Sequence, residues 1–260
     1  MGLLKAYIRH RRDPRPPPST GPFHLLHLRT GALVDIDEGP FLILPDTAKV
    51  QHPGKGTSVR LATEFGLLGA RVQRFYLQPV PGREIPETIL QVSTDSEGVD
   101  YMVLSQAYEV LPGTAEEWDE WTSDKKGLLG SDLLNTPDGI EFTRVWGPTG
   151  TWHPPEQVVE RTEQGGRCCE RSVALYNRQI GMPPYLRFLD AAKAPLQEAI
   201  NHGAPRSAVE EILESVNRLT PTGDMPEELL MVEGEFEKNG KSRIVLYAGL
   251  QVPASAVKVV

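Results

Sequence analysis

The stretch Glu228–Val260, ELLMVEGEFEKNGKSRIVLYAGLQVPASAVKVV, decides how the fold is read. Leu230, Val232 and Phe236, then Ile244, Leu246, Ala248 and Leu250, alternate with polar or smaller residues, and Asn239-Gly240 marks a turn between the two runs. A two-residue loop would set Ile244 and Leu246 opposite Glu235 and Glu233, mixing apolar and charged groups on one face. A three-residue loop, Lys238-Asn239-Gly240 with Gly240 at the positive φ of a bulge, removes that conflict. Leu230, Val232 and Phe236 then share a face with Ile244, Leu246 and Ala248. On the other face Glu237 meets Lys241 and Glu235 meets Arg243, opposite charges across the strands. The segment predicts a β-hairpin and carries no recognisable chemistry.

Working outward, residues 23–111 read as a series of short strands separated by Gly, Pro and Asp: Phe23–Leu28, Ala32–Ile36, Phe41–Leu44, Ser58–Glu64, Arg71–Leu77, Thr88–Ser93 and Val99–Leu104. Thr114 and Glu117 form a capping box that predicts a helix with Trp118 and Trp121 on one face. Residues 122–139 read as a long loop, and strands resume at Ile140–Trp146, Gln157–Arg161 and Arg167–Tyr176. A helical excursion at about 195–221 follows. Its clearest part is Ala208–Leu219, capped by Ser207 and Glu210 and striped by Val209, Ile212, Leu213, Val216 and Leu219. A shorter helix is expected at Pro195–Asn201. The expected fold is α+β: mainly antiparallel β-sheet with a few short helices and the C-terminal β-hairpin.

Composition agrees. With 24 glycines and 23 prolines in 260 residues, turns and short strands are favoured over long helices. Three parts are expected: a basic amphipathic segment at 1–12, a Pro-rich linker at 13–22 (DPRPPPSTGP), and one β-rich globular domain at 23–260. In the first, Leu3, Leu4, Tyr7 and Ile8 fall on one side of a helix, with Lys5, Arg9 and Arg12 elsewhere, an arrangement suited to an anionic membrane surface. Residues 1–22 carry a net charge of +4 in a chain of −8, so the body is acidic, which argues against nonspecific nucleic-acid binding. Cys168 and Cys169 are adjacent, a poor geometry for a disulfide, and a reducing cytoplasm is the expected setting.

Motifs for catalysis are few. His52-Pro53-Gly54-Lys55-Gly56-Thr57 resembles a phosphate loop but has Lys49 where the first glycine belongs, and reads as a plain loop. His24 and His27 would point to opposite strand faces, and the other histidines lack partners at ligand spacing, so no metal site, cofactor or catalytic residue is expected. Asp35 and Asp37 share a strand face and, with His153, are the first residues to consider for an enzyme or small-ligand pocket between sheet and helices. The acidic-aromatic run Glu116–Trp121 is the most distinctive surface candidate. Trp118 and Trp121 beside Glu116 and Glu117 would anchor a basic partner, or would simply cap the sheet.

Several stretches together resemble the YjfK-like family of bacterial proteins: Leu28-Arg29-Thr30-Gly31-Ala32-Leu33-Val34-Asp35, Arg74-Phe75-Tyr76-Leu77, Arg144-Val145-Trp146, Glu170-Arg171-Ser172-Val173-Ala174-Leu175-Tyr176-Asn177-Arg178 and the closing hairpin Leu229–Val260. The resemblance implies no activity and no site residues. Members are often encoded beside proteins like phage-shock protein A (PspA), which bind and remodel membranes. The expectation is therefore a non-enzymatic cytoplasmic adaptor, peripheral at the inner membrane, that binds a PspA-like partner in membrane stress or remodelling.

Overall fold

A computed structural model describes residues 28–79, 86–96, 98–180, 227–236 and 242–260. The chain divides into two compact units. Unit 1 comprises Met1–Ile43, Ala48–Arg178 and Glu228–Val260; unit 2 comprises Leu44–Thr47 and Gln179–Glu227. The segments expected at 1–12 and 13–22, the strand at 23–28 save its last residue, the helices between 195 and 221 and the hairpin turn at 237–241 lie outside the described residues.

The described fold is mainly β, an eight-stranded antiparallel barrel with extra strands and two short helices; the expected antiparallel sheet with a few short helices is present, and the sheet is closed into a barrel. Its elements in chain order are β1 (Leu33–Ile36), α1 (Gly39–Leu42), β2 (Thr57–Leu67), β3 (Ala70–Leu77), β4 (Thr88–Thr94), β5 (Val99–Val110), α2 (Ala115–Thr122), β6 (Leu133–Asn135), β7 (Glu141–Arg144), β8 (Glu156–Thr162), β9 (Arg167–Gln179), β10 (Glu227–Phe236), β11 (Arg243–Val252) and β12 (Val257–Val259). The barrel runs β2-β3-β4-β5-β11-β10-β9-β8, and β8 closes it by pairing with both β9 and β2. Strands β2 and β9 are long enough to serve two partners along one edge. β2 gives its first residues to β1 and Thr63 and Glu64 to β8. β9 gives its first half to β8 and Tyr176 and Asn177 to β7. The ribbons β1–β12 and β7–β6 therefore leave the barrel at the two sides of its seam.

The hairpin has the register that the three-residue loop requires. Leu230 pairs with Ala248, Val232 with Leu246 and Glu235 with Arg243. Two expectations fail. Phe41–Leu44 is not a strand: Pro40 sits in the first turn of α1, where its missing N–H is no loss, and the Asp37 carboxylate accepts the Gly39 amide at 3.0 Å. The loop at 122–139 holds β6, whose Leu134 is buried between exposed neighbours.

Alternation along each strand separates inside from outside. Phe65, Val72, Ile89, Leu104, Val173, Met231, Val245 and Tyr247 fill the lumen. Phe142, Ala174, Tyr176, Leu230, Val232, Ile244 and Leu246 form a second cluster on the outer face of β9, β10 and β11, with Trp118 and Trp121 of α2 packed against it. Gly249 on β11 leaves no room for a side chain. A Cβ there would lie 2.9 Å from Leu104 Cδ2, 3.2 Å from Met102 Sδ and 3.3 Å from Leu229 Cβ. Gly249→Val is expected to destabilise the protein by about 1–3 kcal/mol through overpacking. Urea unfolding will show this as a lower midpoint at unchanged slope.

Candidate functional site

Charged side chains share the lumen with the apolar cluster. Arg74 on β3, Glu160 on β8, Arg171 on β9 and Glu233 and Glu235 on β10 all point inward, and none is more than 7% exposed. Arg74 ion-pairs with Glu233, its Nε donates to Gln91 Oε1 at 3.0 Å, and its guanidinium lies 4.8 Å from the centre of the Phe65 ring. Arg171 is the hub. Its nitrogens reach Glu233 at 2.5 Å, Glu160 at 3.0 Å, Glu235 at 3.0 Å and the Tyr76 hydroxyl at 3.1 Å. Tyr76 Oη donates to Glu160 at 3.0 Å and Thr63 Oγ1 to the same oxygen, while the Cys169 thiol donates to the other oxygen at 3.1 Å. At the rim Arg243 joins Glu235 (2.6 Å) to Glu109 (2.8 Å).

Burial alone would raise the carboxyl groups of Glu160 and Glu233, yet both lie below the ordinary glutamate range. For Glu233 the Arg74 and Arg171 guanidiniums outweigh desolvation, and for Glu160 Arg171 and then Arg74 do so. Burial drives the Tyr76 phenol well above its usual value. Glu160 and Glu233 are therefore held as carboxylates beside the two guanidiniums. Desolvating each ion costs several kcal/mol, which is recovered only where geometry and hydrogen bonds are complete. With Thr63 on β2 and Gln91 on β4, the buried network ties six of the eight strands together, an arrangement suited to closing a barrel.

The sequence candidates separate. Asp35 and Asp37 do line one cleft, of about 220 Å³, with Ile36, Glu38, Lys55, Ala256 and Lys258. His52 positions the loop that brings Lys55 there: Nε2 donates to the Ile36 carbonyl at 2.7 Å, which leaves Nδ1 to accept the Gly54 amide at 3.1 Å. Lys55 lies 3.5 Å from Glu38. His153 does not line this cleft; its ring packs against Gly147. Among the described residues no group of three or more His, Cys, Asp or Glu is placed to hold a metal.

At α2 half of the expected capping box forms. Thr114 Oγ1 accepts the Glu117 amide at 3.1 Å, although Glu117 reaches back to the Gly113 amide (2.6 Å) rather than to that of Thr114. Trp118 and Trp121 are half-buried on the outer cluster, and Glu116 and Glu117 are exposed. The tryptophans thus cap the sheet, with only their rims available to a partner.

Sequence reasoning missed the lumen network because polar positions on a strand read as a solvated face. The available signal was Glu233 and Glu235 in phase with Met231, and Arg171 in phase with Val173 and Leu175.

Glu233→Gln leaves two buried guanidiniums undercompensated and is expected to destabilise by about 3–5 kcal/mol in chemical denaturation. A carboxyl whose folded pKa is depressed stabilises above its unfolded pKa, and that stability is lost as pH falls through the folded value. Wild-type stability should therefore fall below about pH 4.3, the ordinary glutamate value, and Glu160→Gln should make the fall shallower in urea titrations from pH 7 to pH 2.

Several of the resembling stretches carry the network: Arg74 and Tyr76 lie in Arg74–Leu77, Arg171 in Glu170–Arg178, and Glu233 and Glu235 in the closing hairpin. No curated protein and no solved structure matches the chain. The model of DUF2491, a family of proteins of unknown function, matches residues 6–189, well over half of the 260, and the chain belongs to that family.

Proposed function

We propose that this protein is a non-enzymatic cytoplasmic adaptor of a bacterial membrane-stress or membrane-remodelling system, peripheral at the inner membrane and binding a PspA-like partner. The observation that carries the reading is the self-neutralised lumen: each carboxylate of the buried cluster is met by an arginine, so the polar groups inside the barrel serve closure and leave function to the outside. The exposed carboxylates of α2, Glu116 and Glu117, with the rims of Trp118 and Trp121, form the surface for a basic helical partner. Leu3, Leu4, Lys5, Tyr7, Ile8, Arg9 and Arg12 would meet anionic lipid. They lie outside the described residues, and the proposal rests on their sequence pattern. The family resemblance to YjfK-like proteins supplies the partner class. A second reading, a domain binding a small polar ligand, draws support from the cleft that unites Asp35, Asp37 and Lys55.

Because Trp118 and Trp121 pack on the outer cluster, charge reversal at Glu116 is a cleaner test than tryptophan removal. Glu116→Lys is expected to leave unfolding unchanged within about 0.5 kcal/mol and to abolish pull-down of a PspA-like protein. Retained pull-down places the interface elsewhere. Deleting residues 1–22 should remove flotation with vesicles containing anionic lipid, and unchanged flotation removes the membrane role.

A further inference from the structure

Strand β12 ends the sheet order, and among the described residues it pairs with β1 alone. The Val260 amide donates to the Leu33 carbonyl at 3.0 Å and the Asp37 amide to the Ala256 carbonyl at 2.8 Å. In an antiparallel ladder the hydrogen-bonded pairs recur at every second residue. Lys258, midway between those two bonds, therefore turns its backbone to its register partner Asp35. Val257 and Val259 turn their N–H and C=O groups away from β1, toward the open side.

Apolar side chains surround this edge. Val259 is 41% exposed, Leu33 42% and Val260 78%. A strand that is only blunted against aggregation is short and charged; β12 is short but keeps valines on both sides of its single charge. Lys258 is exposed and makes no ion pair among the described residues.

We propose that β12 is a docking edge for an extended segment of a partner protein, which adds as a further strand with apolar residues opposite Val257 and Val259 and a carboxylate opposite Lys258. Main-chain hydrogen bonds to Val257 and Val259 supply attachment, and the side chains on either side of Lys258 supply register. Charge selects the occupant. Two copies of this chain joined antiparallel with their valines matched would place Lys258 opposite Lys258, like charges across a ladder. A partner carboxylate at that position would instead extend the alternation Asp35–Lys258 by one strand. This edge is separate from α2, so the two surfaces fail or hold independently.

The test uses the full chain and two capped peptides, Thr-Val-Glu-Val-Thr and Thr-Val-Lys-Val-Thr, titrated by NMR or calorimetry. The glutamate peptide should bind about tenfold more tightly than the lysine peptide, and Lys258→Glu should invert that preference. Val259→Pro removes an outward N–H that β1 does not use and should weaken binding about tenfold. If Val259→Pro does not fold, Lys258→Glu carries the test. Absence of binding by either peptide overturns the proposal, as does equal binding of both or binding insensitive to both substitutions. Sedimentation of the chain as a dimer that Val259→Pro dissolves overturns it as well, by making a second copy the occupant.

Discussion

Arg171 and Glu233 meet in the middle of a barrel, and the rest of the structure depends on that meeting. An eight-stranded barrel has a lumen just wide enough to be filled by side chains. Here aliphatic and aromatic groups share it with two arginines and three glutamates. Neither guanidinium could stay buried without its carboxylate partners, and it is the guanidiniums that hold Glu160 and Glu233 ionised against desolvation. Strand pairing holds neighbouring strands; this cluster holds strands that are not neighbours, since Arg74 on β3 reaches across to Glu233 on β10.

Closure also explains the appendages. β2 and β9 exceed the length the barrel needs, and the surplus edge of each carries a short ribbon. The β7–β6 ribbon and α2 cover the outer face of β9–β11, where Tyr176 donates to the carbonyls of Leu128 and Leu129 at 3.0 and 3.2 Å. Glu228 performs a similar task where β10 begins. It receives Arg178 at 2.5 Å and the backbone amides of Lys49 and Val50, so three chain segments meet at one buried carboxylate.

Much of the strand inventory is legible in the sequence, because turn residues and alternation are local signals. The hairpin register followed from one rule, that apolar groups should share a face, and the observed pairs obey it. What was not legible has two physical causes. A strand's polar positions look alike whether they face water or a neutralising partner on a distant strand, so Glu233 and Glu235 read as surface although they lie in the lumen. Closure is not local either: β8 is an ordinary short strand in sequence, and only its second pairing, Thr162 with Thr63, turns a sheet into a barrel. The same limit applied to the candidate site. Asp35 and Asp37 were found together because they are two residues apart, whereas Lys55 and Lys258 reach the same cleft from far along the chain.

The separation between Arg74 and Glu233 has a consequence for how the molecule is made. Synthesis delivers the guanidiniums of β3 and β9 long before the carboxylates of β10 that neutralise them. A nascent chain that has emerged only as far as β9 holds two arginines with Glu160 of β8 but without Glu233 and Glu235, and a gap between β5 and β9 where β10 and β11 belong. Completion of the last strands is therefore the event that permits collapse, and such dependence on distant contacts slows folding. A ribosome that terminates early releases a product that cannot be a smaller version of this fold.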